Sequence, residues 1–234
     1  MNRTFRMVLI SVLLLLLIVT ASVRITEVTV TGNKWYTGDQ VEELIFPTAL
    51  SKNSAYCFLN GLMKKKQTIP FIEDYKITFV NPTKVEVIVY EKSIIGYVSY
   101  MSSYMYFDKD GIIVESSGKK LDGIPMVTGL KFGQIVLYKP VPVENGKIFS
   151  NILNLTQALS THGIGVDLIR YDSSGNATLV IGAINVQLGN STEMNGKISE
   201  LSDILPKLAG RKGTLDLENY SPSSENPLYS FREK

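Results

Sequence analysis

The residue types that most often carry catalysis are scarce in this sequence. His162 is the only histidine and Cys57 the only cysteine, so a nucleophile with a neighbouring base and a zinc site both lack the groups they need. Cys57 lies beside Phe58 and Leu59, which is typical of a small buried residue rather than of a reactive thiol. A single cysteine also excludes an intramolecular disulfide. We therefore expect no enzyme, no metal and no cofactor.

Other short motifs give equally little chemistry. The sequence DKDG at 108–111 resembles the start of a calcium-binding loop. The later acidic ligands of such a loop are missing, so the sequence predicts a hairpin turn instead. The adjacent acids Glu73 and Asp74 open a predicted strand. No glycine-rich phosphate loop of Walker or Rossmann spacing occurs. The net charge of +2 provides no broad basic field, so nucleic acid is not an expected partner. With so little catalytic chemistry in the sequence, no small-molecule substrate is expected either.

A long apolar stretch occupies the start of the chain. Residues 7–23 contain no charge, proline or glycine, which predicts a transmembrane helix. Arg3 and Arg6 precede it, so residues 1–6 are expected to form a cytoplasmic tail. The alternative is a signal peptide cleaved after Ala21. Both interpretations place residues 24–234 outside the cytoplasm.

The pattern over residues 24–92 predicts strand, helix, helix, strand, strand. Residues 23–30 alternate and are rich in β-branched side chains, which indicates a strand. Thr37 and Gln40 have the spacing of a capping box at a helix start. Two alternating strands then follow, joined by a turn at 81–83.

The second helix of this stretch is predicted over residues 56–66. Its residues Leu59, Leu62 and Met63 are expected to face the core. The three lysines at 64–66 can approach anionic lipid or wall polymer, or form the solvated end of the helix. The sequence leaves both possibilities open.

The remaining sequence, residues 93–217, is rich in strands. A meander is predicted over 166–188, and amphipathic helices over 149–160 and 194–208, the second capped by Ser191 or Thr192. A short strand follows at 214–217. The fold class is therefore α+β: an N-terminal transmembrane helix, a small βααββ domain, and a mixed β-rich domain with an antiparallel meander and flanking helices. Residues 218–234 form a C-terminal tail.

The order of these segments resembles the FtsQ/DivIB family of bacterial cell-division proteins over nearly the full length. Five segments carry the resemblance: ITEVTVTGN at 25–33, the proline-centred hairpin at 77–92, YFDKDG at 106–111, Ile124-Pro125 with Gly129, and the helix and strand at 197–217. The resemblance implies that residues 24–92 form a POTRA domain. It also implies a single-pass protein of the bacterial cell membrane, with its C-terminal bulk extracytoplasmic, at the division septum.

The function that this resemblance implies is a non-enzymatic scaffold of the divisome. Such a scaffold binds FtsB/DivIC-like and FtsL-like membrane partners and supports septal peptidoglycan synthesis. The expected mode is β-augmentation, in which a partner segment adds a strand to an exposed sheet edge. The alternatives are an exported cell-wall enzyme, a POTRA-type chaperone of polypeptide transport, and an exported protein that binds a small ligand.

The C-terminal end of the chain is the predicted partner-binding surface. It combines a short strand with apolar and aromatic residues in an otherwise polar tail, which supply anchors for a partner. The alternative is that this tail packs on its own domain. The residues of the hypothesis are Thr214, Leu215, Leu217, Tyr220, Leu228, Tyr229 and Phe231.

Overall fold

The structure is a computed structural model that describes residues 3–62, 66–221 and 229–234. The chain divides into two compact units, Met1–Lys92 and Ser93–Lys234. Each unit combines helices with a sheet and has a hydrophobic core of its own. The predicted α+β class is confirmed.

A single helix, α1 (Arg3–Ser22), opens the first unit. The described apolar side chains along it, from Phe5 to Val19, are about half exposed or more. Within the described residues, no helix combines the length and the apolar character that crossing a bilayer requires.

A three-stranded sheet with two helices forms the rest of the first unit. The strand order is β1-β3-β2, with β1 parallel to β3 and β2 antiparallel to β3. Arg24 precedes β1 and forms an isolated bridge with Asn53, so the first strand starts later than predicted. The elements are β1 (Glu27–Thr31), α2 (Gly38–Ile45), α3 (Ser54–Leu62), β2 (Ile72–Asn81) and β3 (Lys84–Glu91).

Helix α2 starts as the sequence predicts. The Thr37 hydroxyl accepts from the backbone N–H of Gln40, and the Gln40 side chain accepts from the N–H of Thr37. This capping box satisfies two N–H groups that the first turn leaves unpaired. The helix buries Val41 and Ile45 against the sheet.

Helix α3 differs from its prediction in both start and orientation. It begins after Asn53, whose Oδ1 accepts from the N–H of Tyr56. The Ser54 hydroxyl donates to the carbonyl of Pro82, and Ser54 and Cys57 are the buried residues. Because these contacts fix the rotation of the helix, Leu59 and Leu62 face outward, and the prediction that they face the core is wrong. Met63 lies outside the described residues.

The second unit is built on a nine-stranded mixed sheet with the order β12-β11-β10-β9-β8-β7-β4-β5-β6. Two helices add to its core. The elements are β4 (Gly96–Tyr100), β5 (Ser103–Phe107), β6 (Ile113–Ser117), β7 (Met126–Thr128), α4 (Gly146–Thr161), β8 (Leu168–Tyr171), β9 (Ala177–Ile181), β10 (Ile184–Gly189), α5 (Met194–Ile204), β11 (Gly213–Asp216) and β12 (Ser230–Glu233).

Strand β7 joins two antiparallel meanders into one sheet. The predicted meander of β8, β9 and β10 is present, and β4, β5 and β6 form another. Strand β7 pairs in parallel with β8 over three residues and with β4 at one position, Tyr97 opposite Met126. The sequence did not predict this strand, because three residues are too few to show a periodicity.

Helix α5 confirms the predicted apolar stripe but not the predicted cap. Ile198 and Leu201 are buried in the core with Leu179 and Val186 of the sheet. The residue before the helix is Glu193, in the left-handed conformation and without a side-chain cap bond, so the predicted cap at Ser191 or Thr192 is wrong. The helix then tightens into a 3-10 turn at Leu205–Leu208, where Pro206 lacks the N–H of an α-helical turn.

Candidate protein-binding edge

The C-terminal end of the chain forms the last strand of the large sheet. Strand β12 pairs antiparallel with β11, so that Leu215 lies opposite Phe231 and Thr214 opposite Arg232. Strand β11 in turn pairs in parallel with β10. Among the strands of the described residues, none pairs with the other side of β12. We call this outer side of β12 the open edge.

The backbone groups at the open edge follow from the pairing pattern. The N–H of Lys234 donates to the carbonyl of Lys212 at 3.1 Å. Successive residues of a strand point their backbone groups to opposite sides. The backbone N–H and C=O of Arg232, two residues before Lys234, therefore also face β11. Phe231 and Glu233 therefore direct their N–H and C=O groups away from β11. An extended segment can pair with these groups as an added strand.

Gly213 permits the close approach of β12 to β11. A Cβ atom at this position would lie 2.3 Å from the carbonyl oxygen of Arg232 and 2.8 Å from Cζ of Phe231. Both distances are far below van der Waals contact. Any larger residue would push β12 away from the sheet.

Arg211 holds the end of β12 by two contacts. Its Nε and Nη2 donate to the two carboxylate oxygens of Glu233 at 3.3 and 3.1 Å. Its guanidinium also lies over the ring of Phe231, 4.9 Å from the ring centre, which is a favourable cation–π arrangement. The hydrogen bond and the charge of Arg211 lower the pKa of Glu233, and the same contacts raise the pKa of Arg211.

The predicted partner-binding residues occupy three different environments. Leu215, Leu217 and Tyr220 are buried, and the Tyr220 hydroxyl donates to Oε2 of Glu200 at 2.9 Å. Thr214 is half-buried within β11. Tyr229 is 48% exposed just before β12.

Phe231 lies within β12 and packs partly against the core, and Leu228 lies outside the described residues. The structure therefore brings Thr214, Leu215 and Phe231 together on two paired strands. It places Leu217 and Tyr220 in the core instead of on a surface.

Four residues of this edge were missed by the sequence hypothesis: Arg211, Gly213, Arg232 and Glu233. The opposite charges of Arg211 and Glu233 are visible in the sequence, but only the strand register places them side by side. Arg232 likewise approaches Asp216, with 4.0 Å between Nη2 and Oδ2. A prediction of β11 pairing with β12 would have found all four.

Lys197 is a buried cation of α5 that contacts the end of β10 and the segment that follows β11. Its Nζ donates to the carbonyls of Leu188 at 2.6 Å and of Glu218 at 3.0 Å. These carbonyls end β10 and follow β11, so one side chain joins α5 to both strands. Burial lowers the pKa of Lys197, because a charged amine is costly away from water.

Cys57 and Asp108 take structural positions in the described part of the chain. Cys57 is buried in the first unit, and burial raises the pKa of its thiol. Asp108 accepts from the N–H groups of Asp110 and Ile112, which confirms the predicted hairpin turn. Throughout residues 3–62, 66–221 and 229–234, no group of three or more His, Cys, Asp or Glu could hold a metal ion.

An open cleft adjoins the start of β11. Its volume is about 720 Å³, and its lining includes His162, Ala183, Leu208, Arg211 and Lys212. His162 is exposed, and its backbone N–H donates to the carbonyl of Ala158 at the end of α4. The histidine therefore belongs to a surface loop.

The two units together define the class of the protein. It is an α+β chain in which a βααββ unit precedes a mixed sheet with an open C-terminal edge strand. The chain is similar to the cell division protein DivIB of Clostridium acetobutylicum, with 26% identity over 220 residues, covering 88% of this chain and 82% of the relative. This similarity supports membership of the FtsQ/DivIB family and confirms the resemblance found in the sequence. It also supports a role in cell division. No family model matches the chain.

Proposed function

We propose that this chain is a non-enzymatic, single-pass scaffold of the bacterial divisome. Its residues 24–92 act as a POTRA domain, and its second unit binds FtsB/DivIC-like and FtsL-like partners at the division septum. Through these contacts it supports septal peptidoglycan synthesis. The observation that carries the proposal is the open edge of β12 in a chain similar to DivIB.

The geometry of the open edge supports strand addition as the binding mode. The outward backbone groups of Phe231 and Glu233 can give a partner strand its main-chain hydrogen bonds. Tyr229 supplies an exposed aromatic anchor next to them. The two contacts of Arg211 keep β12 in register, so the edge is preformed and a partner does not have to order it.

The sequence of the N-terminal segment supports membrane attachment. The charge-free part of α1 rises about 24 Å at 1.5 Å per residue, somewhat less than the hydrocarbon core. Arg6 can reach the headgroups with its long side chain, and the bilayer can thin locally, so a short span is accommodated. Alkaline carbonate extraction of native membranes tests this part: release of the full-length chain into the soluble fraction would contradict it.

A proline at the open edge tests the binding mode most directly. Glu233→Pro removes an N–H that points away from β11, so it should weaken capture of a DivIC-like partner more than loss of the Arg211 contact alone. Glu233→Ala is the matched control, because it also loses the contact with Arg211 but keeps the N–H. Equal capture by both variants would argue against strand addition at β12.

The rival functions have separate tests. Deletion of residues 229–234 removes β12 and should abolish partner capture; unchanged capture with a folded second unit would move the partner site elsewhere. Release of muropeptides from purified peptidoglycan by the chain would favour an exported enzyme. Fluorescent tagging in the native cell should place the protein at the septum, which neither an enzyme acting along the side wall nor a transport chaperone requires.

A further inference from the structure

An apolar stripe runs along the outer face of α3. Ala55, Phe58, Leu59 and Leu62 follow the spacing i, i+3, i+4, i+7, which places them on one side of a helix. Phe58, Leu59 and Leu62 are 56%, 57% and 65% exposed. The face that packs on the sheet instead carries Ser54 and Cys57. The outward face of α3 is thus the more apolar one.

The stripe is held in place by one contact with the sheet, and most of its surface stays exposed. The Phe58 ring packs edge-on against the ring of Phe79 in β2, with 6.2 Å between the ring centres. Hydrogen bonds at the start of the helix fix its rotation, as described above. Water-soluble proteins seldom expose a contiguous apolar patch to water. A fixed apolar stripe of this kind therefore indicates a binding surface for an apolar partner or for lipid.

The start of α3 is bonded directly to the chain as it leaves α1. The carbonyl of Val23 accepts from the N–H of Ser54 at 3.1 Å and from Nδ2 of Asn53 at 3.2 Å. The N–H of Ile25 donates to the carbonyl of Lys52 at 2.7 Å. Cα atoms of α1 and α3 come within 8 Å of each other. The apolar stripe therefore begins where the apolar N-terminal helix ends.

We propose that the apolar stripe of α3 lies in the surface of the lipid bilayer, beside the point where α1 leaves it. The inference rests on the proposed membrane attachment of α1. Two elements then hold the first unit to the membrane, one across the bilayer and one along its surface. The unit is fixed in orientation relative to the bilayer and does not rotate freely about Val23.

Continuity with α1 favours lipid over a protein partner as the occupant. With α1 in the bilayer, the hydrogen bonds to Val23 place the first turn of α3 at the depth of the headgroups. Helices with one apolar face bury that face at the boundary between headgroups and acyl chains. The sequence after the stripe reads MKKK at 63–66, and such a basic run is attracted to anionic lipid.

Depth measurements on the full chain in vesicles test this inference. In a Cys57→Ala background, single cysteines replace Leu59 or Leu62 on the stripe, Glu43 on the exposed side of α2, and Leu14 in α1. Each variant is labelled with an environment-sensitive fluorophore and reconstituted into vesicles of phosphatidylcholine and phosphatidylglycerol. Quenching by lipids that carry a spin label on the acyl chain is then compared, after circular dichroism has confirmed the fold.

The expected result is strong quenching and a blue shift at positions 59 and 62, several-fold greater than at position 43. Quenching at 59 and 62 no greater than at 43, with the Leu14 label quenched, would overturn the inference and leave the anchor intact. An unquenched Leu14 label would overturn both the membrane anchor and the inference. If protection of the stripe labels instead requires an added DivIC-like partner, the stripe is a protein-binding face and the inference fails.

Discussion

Arg211 and Glu233 form a two-point contact that ties the last strand to the residues just before β11. The guanidinium donates to both carboxylate oxygens, at 3.3 and 3.1 Å. Both side chains are largely exposed, so water and salt weaken the pair. Its role is to set the position of β12, not to stabilise the whole unit.

Acid should loosen β12 through Glu233. Arg211 lowers the pKa of this carboxylate in the folded chain, so its contribution is complete above about pH 4.3, the ordinary value for glutamate. The contribution is lost as the pH falls through the lowered folded pKa, because protonation removes the charge that Arg211 binds. NMR chemical shifts of the Arg232 amide should follow this titration. Glu233→Gln should remove the pH dependence; an unchanged titration in that variant would assign it to another group.

Gly213→Ala should detach β12. The added methyl carbon would meet the Arg232 carbonyl at 2.3 Å, and the strand must move to relieve the clash. We expect faster hydrogen exchange in β12 and loss of partner capture. Gly165→Ala is the control, since nothing lies within 4 Å of a Cβ there. Normal exchange in β12 of the Gly213 variant would contradict this account of the edge.

Lys197→Met should destabilise the second unit by about 1–3 kcal/mol at neutral pH, because the buried carbonyl of Leu188 and the partly buried carbonyl of Glu218 lose their donor. Urea unfolding measures this change. In the native protein the lowered pKa of Lys197 means that the unfolded chain binds more protons in mild alkali. The free energy of unfolding should therefore rise with pH between that lowered pKa and about 10.4, the pKa of an ordinary lysine. This rise should be missing from the Lys197→Met variant. Parallel pH profiles for the two proteins would refute the assignment.

Tyr220→Phe should lower stability without affecting partner capture. The hydroxyl donates to Glu200 in a partly buried setting, and an intramolecular hydrogen bond contributes about 0.5–1.5 kcal/mol. Tyr229→Ala, at an exposed position, should do the reverse and weaken capture with little change in stability. These two variants separate the core residues of the predicted surface from those that a partner can reach. Weaker capture by a stable Tyr220 variant would return this residue to the binding surface.

Much of the first unit follows from local patterns in the sequence. The capping box at Thr37 and the alternation of Val85, Val87 and Val89 each depend on neighbouring residues only, and the structure shows both. The orientation of helix α3 does not follow from its local sequence pattern. Its rotation is set by bonds from Ser54 to Val23 and Pro82, which are distant in sequence, and these override the preference of Leu59 and Leu62 for a core.

The sequence predicts part of the secondary structure at the candidate site, but not how its strands are arranged. The sequence correctly predicts a strand near Thr214 and an aromatic tail near Phe231, but the pairing of the two depends on register. That pairing buries Leu215 and leaves the backbone of β12 outermost. Arg211 and Gly213 gain their roles only from the pairing. The charge of Arg211 and the small size of Gly213 do not by themselves predict which strand lies beside them.

The narrow junction at β7 has a mechanical consequence for the large sheet. Two meanders, each closed by local antiparallel pairing, share a connection only three residues long, with Gly129 at its end, where a Cβ would lie 1.8 Å from the Tyr171 carbonyl oxygen. Under tension between the N-terminal and C-terminal ends of this sheet, we expect it to part along this seam first. The half that carries β12 would then keep its own strand pairing, so the sheet would separate in the middle while β12 stays paired with β11.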